Sequence, residues 1–281
     1  MKKKLTVALW VDSMQVPAWV LEMLLRINAS EHASLSWVIL NKTNKKKGGS
    51  SLAKGLRNFN YIAFILYRKI ENRFIDSKPD AQQLKNITGL IQNNSIIEVH
   101  PSHQQNHLIF KQDEIEKLKR IDADVCIKIG NGILPDEILA CSRYGFWRFD
   151  DGNNFIRRGI YTGVKEVISE SEVTQNALLT QLAGKEAPFV LCTGTHATAG
   201  SIKKNINLVY WKSVSFIPGM LDQLYEKGGD TFINNLKKYD GDLANCYMPS
   251  NKVFVPYLLK YYLSKISIRF NRRKSIEQYS H

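Results

Sequence analysis

The side chains best suited to chemistry gather in one stretch, Asp122 to Gly159. Arg148 lies inside the apolar run Phe146–Phe149. Asp150, Asp151, Asn153 and Asn154 follow around Gly152, and Arg157 and Arg158 stand just beyond. A carboxylate at Asp150 or Asp151 can take a proton as a general base, and the two together can hold a metal. A loop of Asx turns around Gly152 accounts for the same residues without chemistry. An arginine among apolar neighbours needs a carboxylate or phosphate partner. Asp150, two residues on and therefore on the same strand face, is one candidate, and Glu186 in GKEAPFVL is the other. Arg157 and Arg158 suit a substrate phosphate and open solvent equally.

The remaining reactive residue types are scattered. His103 and His107 have the four-residue spacing that two metal ligands take on a helix. Pro101 disfavours a helix there and no acidic or cysteine ligand accompanies them, so a solvated loop is the preferred reading. His196, in CTGTHATAG, stands alone and reads as a loop or core histidine. Cys126, Cys141, Cys192 and Cys246 form no CxxC pair, which argues against a zinc site and a disulfide framework and suits a reducing compartment. No metal site is expected.

The elements that must position these groups read as an α/β chain. Leu5–Val11 is a short continuous apolar run, as in a strand covered on both faces. Val16, Trp19, Val20, Met23, Leu24 and Ile27 follow helical spacing, and Leu35–Leu40 is a second strand. This strand–helix–strand start predicts a mostly parallel sheet with helices on both faces. No GxGxxG follows the first strand, so a dinucleotide fingerprint is absent. Ser95–His100 reads as a strand and Asp113–Arg120 as a charged helix. Val125–Ile129 is a strand, followed by a turn at Gly130, Asn131 and Gly132 and a helix begun by Pro135. Such a turn lets backbone groups approach a ligand. In open parallel sheets the ligand crevice lies outside the carboxyl ends of the strands. That rule brings the glycine turn and the Asp150 loop to one crevice.

Charge is distributed unevenly over the 281 residues, whose formal net charge is +13. Residues 1–60 hold ten Lys and Arg against Asp12, Glu22 and Glu31, and the last thirty hold seven against Glu277. The excess favours acidic partners or simply a solvated basic surface. In the helix read over Leu56–Phe74, Phe59, Ile62, Ala63, Leu66, Ile70 and Phe74 fall on one side. Packing of that side on the sheet edge is the preferred reading, and docking on a membrane surface or a partner is the other. From Val253, the positions Val255, Leu258, Leu259, Tyr262, Ile266 and Phe270 form a second stripe flanked by Lys260, Lys265, Arg269, Arg272, Arg273 and Lys274. This suits a helix on an anionic membrane surface, or one docked on the core with a basic tail. Nucleic acid is a poor partner, since no recognition motif accompanies the charge. No run reaches the roughly 18 apolar residues of a spanning helix. The expected location is the cytoplasm, with the inner face of the membrane as an alternative.

The order DVCIKIGNGILPDEIL, YGFWRF and a polar loop ending in RRG resembles the N-terminal domain of folate-dependent formyltransferases. The segment VPAWVLEMLL resembles the first helix of that family. The likeness covers roughly residues 5–200, with a departure across 42–92. A narrower group of formyltransferase-like bacterial proteins, with W-x-F-H-H-G-D-N followed by R-G-G, is similar to Trp147–Asn154 and Arg157–Gly159. The resemblance implies a Rossmann-like domain over 1–200 with a basic insertion at 42–92, and a helical extension over 201–281. It implies 10-formyltetrahydrofolate against Ile129, Gly130, Asn131, Gly132, Ile133 and Leu134. It implies a catalytic set at Arg148, Asp150 and Glu186, where the family carries Asn, His and Asp, with Asp151, Asn153, Asn154, Arg157 and Arg158 on the substrate. The function implied is formyl transfer to an amino-sugar or envelope-precursor acceptor. The alternative is a divergent binding module working beside a glycan-processing or membrane partner.

Overall fold

The structure, a computed structural model, describes residues 2–43, 59–91, 96–104, 107–130, 132–149, 163–240 and 248–263. Its centre is a sheet begun by β1 (Leu5–Val11), whose side chains alternate between two buried layers. Val7, Leu9 and Val11 enter one core, while Ala8 and Trp10 enter a second core on the opposite face. That double burial explains the unbroken apolar run of the strand. A short strand β2 (Gln15–Pro17) leads into α1 (Ala18–Ala29), which buries Trp19, Val20, Met23, Leu24 and Ile27. The chain returns through β3 (Ala33–Asn41), parallel to β1.

Helix α2 (Ile62–Phe74) departs from the expected packing. It buries Phe64, Tyr67, Arg68 and Glu71, and leaves Ile62, Leu66, Ile70 and Phe74 exposed. The strand β4 (Leu84–Asn86) pairs with β2, and β5 (Ile96–Val99) adds to β3 in parallel. A hairpin of β6 (Ser102–Gln104) and β7 (His107–Ile109) follows, so His103 and His107 sit on strands rather than on a helix face. Next come α3 (Gln112–Lys119), β8 (Val125–Lys128), α4 (Asp136–Leu139) and β9 (Phe146–Phe149).

The second half supplies α5 (Val164–Ile168), β10 (Val173–Gln181), β11 (Phe189–Ala197), α6 (Ile202–Ser213), α7 (Phe216–Lys227), α8 (Gly229–Asn234) and β12 (Lys237–Lys238). Residues 251–263 are helical. Among the described residues the main sheet has eight strands in the order β12-β11-β10-β9-β8-β1-β3-β5. From β9 to β5 the neighbours are parallel, and from β9 to β12 they are antiparallel. The protein is therefore an α/β chain with a mostly parallel sheet. Residues of α1, α6, α7, α8 and 251–263 fill the core on one face, and α3 and α4 close the other. Trp19 stacks on Tyr210 of α6 at 5.3 Å and meets Phe149 edge-on at 5.2 Å, tying the helical layer to the end of β9.

Candidate functional site

The site is built where β8 and β9 end. Their parallel register pairs Cys126 with Phe146 and Ile127 with Trp147, the residues just before Lys128 and Arg148. Both side chains lie on the face that carries Cys126 and Phe146, because side chains alternate along a strand. Lys128 is only 7% exposed, and its Nζ donates to the Gly130 carbonyl at 2.7 Å. Arg148 is half-buried, with Leu179 of β10 opposite it. Behind Lys128 on the same strand, burial pushes the Cys126 thiol well above its ordinary range, so it is no nucleophile at neutral pH.

The glycine turn is clamped from both sides. Ile129 and Gly130 donate their backbone N–H groups to the Trp10 carbonyl, at 2.9 and 3.1 Å. A Cβ at Gly130 would lie 2.7 Å from Asp12 Oδ1, so only glycine fits this close approach to the end of β1. Gly132 has φ +90, and a Cβ there would lie 2.5 Å from the Leu108 side chain. Leu108 N–H in turn donates to the Ile133 carbonyl at 2.9 Å, and His107 bridges to Ile133. The hairpin of β6 and β7 thus serves to hold the turn.

Lys128, Gly132, Ile133, Leu134, Asp136, Leu139, Phe146, Arg148, Gln181, Gly184, Lys185 and Glu186 line one cavity of about 460 Å3. Its size falls within the range of small-molecule sites. Three cations, Lys128, Arg148 and Lys185, and two carboxylates, Asp136 and Glu186, meet around an apolar floor of Phe146, Leu134 and Leu139. Gln181 braces the wall by donating from Nε2 to the Lys185 carbonyl at 2.6 Å. Such a lining suits a small, partly apolar ligand with charged groups.

Of the residues singled out from sequence, Arg148 and Glu186 line this cavity together with Gly132, Ile133 and Leu134. Ile129 does not, since it is buried in the core on the other face. Gly130 backs onto Trp10 and Asp12 instead. Asn131, Asp150, Asp151, Asn153, Asn154, Arg157 and Arg158 lie outside the described residues. Sequence reasoning missed Lys128, Asp136, Gln181 and Lys185. A lysine ending the apolar strand VCIK was a readable signal for the first; nothing local marked the others. It also missed that Asp12 accepts from Asn41 Nδ2 at 2.8 Å at the ends of β1 and β3. Among the described residues, no group of three or more His, Cys, Asp and Glu is gathered as a metal site requires.

No protein-family model matches the sequence, and none of the curated proteins matches it. Solved structures do. The sugar 3N-formyl transferase WlaRD, crystallised with dTDP and 5-N-formyl-THF, is 12% identical, with 89% of this chain and 71% of that chain covered and a TM-score of 0.43. Glycinamide ribonucleotide transformylase 1 from Symbiobacterium toebii is 9% identical, with 79% and 88% covered and a TM-score of 0.47. The likeness is to formyltransferases. An N-formyltransferase from Helicobacter canadensis, in complex with folinic acid and dTDP-3-aminofucose, is 10% identical, with 88% and 70% covered and a TM-score of 0.41.

Proposed function

We propose that the protein transfers a formyl group from a 10-formyltetrahydrofolate donor to the amino group of a sugar-linked or envelope-precursor acceptor. The observation that carries this reading is the single cavity shared by Arg148, Lys128, Glu186 and the Gly132–Leu134 turn. The backbone of that turn and the apolar residues Leu134, Leu139 and Phe146 suit the flat ring of a folate. Lys128, Arg148 and Lys185 suit its carboxylates. The donor supplies the formyl carbon. In this reading the acceptor nitrogen would form the new C–N bond as the bond from the formyl carbon to N10 of the donor breaks, and Asp150 would take the proton from the acceptor nitrogen and return it to N10 of the departing tetrahydrofolate. Asp150 follows directly on Phe149 in sequence and belongs to this scheme on sequence grounds. Arg148 and Glu186 orient the reacting groups, and Asp151, Asn153, Asn154, Arg157 and Arg158 bind the acceptor. The setting we propose is the inner face of a membrane, with the basic C-terminal segment holding the chain there.

Calorimetry on the full chain tests the donor. Saturable binding of 10-formyltetrahydrofolate is expected, weakened about ten- to hundredfold in Arg148→Ala by loss of a charge-assisted hydrogen bond. No heat of binding to the native chain removes the folate from the scheme. In transfer assays with nucleotide-linked amino sugars, Asp150→Asn is expected to lower turnover by about a hundredfold or more. Unchanged turnover removes Asp150 as the base. One observation favours a second reading, a binding module without chemistry: the Lys128 and Arg148 cations can recognise an anionic ligand with no need of Asp150. Donor binding with no transfer to any acceptor selects it.

A further inference from the structure

We infer that the outward face of α2, with the neighbouring helix over 251–263, is a docking surface for an anionic lipid bilayer. Ile62, Leu66, Ile70 and Phe74 recur every four residues along α2 and are 45–76% exposed. Phe59, just before the helix, is 67% exposed. This is a stripe along one side of a helix, of the kind that isolated surface apolar residues do not form. The helix is fixed in this orientation by what its other face buries. Arg68 pairs with Glu71, Glu71 Oε1 accepts the Lys203 backbone N–H at 3.1 Å, and Phe64 meets Phe254 edge-on at 5.2 Å. Rotating the stripe inward would carry that ion pair into solvent and break its hydrogen bond from Lys203.

The helix over 251–263 lies alongside. Asn251 accepts the Ala63 N–H at 3.0 Å and donates to the Phe59 carbonyl at 2.8 Å, and Tyr67 packs on Phe254. This second helix also leaves apolar residues exposed: Val255, Leu259, Tyr262 and Leu263. Charge selects the occupant. Lys69, Arg73, Lys252 and Lys260 are exposed on the two helices, with Lys260 reaching Glu170. The one carboxylate in α2 is the buried Glu71, and residues 251–263 contain none. In sequence, the chain before α2 carries Lys45, Lys46, Lys47, Lys54 and Arg57, and the chain after 263 carries Lys265, Arg269, Arg272, Arg273 and Lys274. A second copy docked face to face would oppose like charges. An anionic headgroup layer over an apolar interior matches both the stripe and its flanks. The inference deepens the peripheral setting proposed above and is independent of the transfer reaction.

Co-sedimentation of the full chain with vesicles decides it. Binding is expected to vesicles of phosphatidylcholine mixed equally with phosphatidylglycerol, falling as salt rises, and not to phosphatidylcholine alone. The double variant Leu66→Ser, Ile70→Ser changes only exposed positions. It should keep the native circular dichroism and lose more than about tenfold in vesicle binding. Binding by this variant equal to the native chain overturns the inference, as does failure of the native chain to bind. A chain ending at residue 263 separates the sources. Loss of binding on truncation, with none lost in the stripe variant, assigns the membrane contact to the tail and overturns the stripe. Conversion of a native dimer to a monomer by the stripe substitutions also overturns it, by identifying a second copy as the occupant.

Discussion

Lys128 and Arg148 follow the last paired residues of two parallel strands, Ile127 and Trp147, and both line the cavity. Holding Lys128 at 7% exposure carries a desolvation cost. Lys128 offsets part of that cost by donating to Gly130, whose carbonyl belongs to the very turn that walls the cavity. His196 illustrates the opposite case, a titratable group in β11 with no sign of catalysis. Burial, and then the charge of Lys212, lower its pKa below the ordinary value. Its neutral form is therefore favoured by folding, and the unfolded chain binds more protons below about pH 6.5. The stability it contributes is complete above that pH and is lost as pH falls toward its depressed folded value. His196→Gln is expected to flatten the acid side of a urea-denaturation pH profile below about pH 6.5, with little change at pH 8. A profile as steep in the variant as in the native chain contradicts this account.

Helix α2 shows how an element can be correctly located and wrongly oriented from sequence. Its apolar stripe has helical spacing, and spacing alone directs such a stripe to the core. The structure instead buries Phe64, Tyr67, Arg68 and Glu71. Aromatic residues there pack on Phe254 and Tyr257, more than 180 residues on in the sequence and invisible to any local window. The Arg68–Glu71 pair survives burial because Glu71 also accepts from Lys203 N–H and Tyr67 Oη. Removing Glu71 takes a buried carboxylate from Arg68 and the acceptor from the Lys203 N–H. Glu71→Ala is therefore expected to cost about 3–5 kcal/mol in urea unfolding, far more than an exposed helix substitution. A loss under about 1 kcal/mol would show that water reaches Arg68 there.

At the scale of the molecule, the helices after residue 200 share their core with the sheet. Ile206, Tyr210, Leu221 and Leu224 belong to the same cluster as Val7, Leu9 and Trp147. We propose that the extension over residues 201–281 folds together with residues 1–200 as one unit. Scanning calorimetry on the full chain is expected to show one transition. Two separated transitions would make the extension an independent unit. None of the described helices is long and apolar enough to cross a membrane.

The sequence by itself determined the α/β class, because strands covered on both faces must be written as unbroken apolar runs and the helices between them as periodic ones. It also located the glycine turn, since Gly132 at φ +90 against Leu108 admits no other residue without strain. Tertiary structure decided the rest. Whether Ile129 or Leu134 faces the cavity depends on which side of the sheet each reaches, and Gln181 and Lys185 arrive there only through the antiparallel return of β10. The outward turn of α2 was settled by a buried ion pair and by rings from the far end of the chain. Those are contacts between distant residues, and local periodicity carries no information about them.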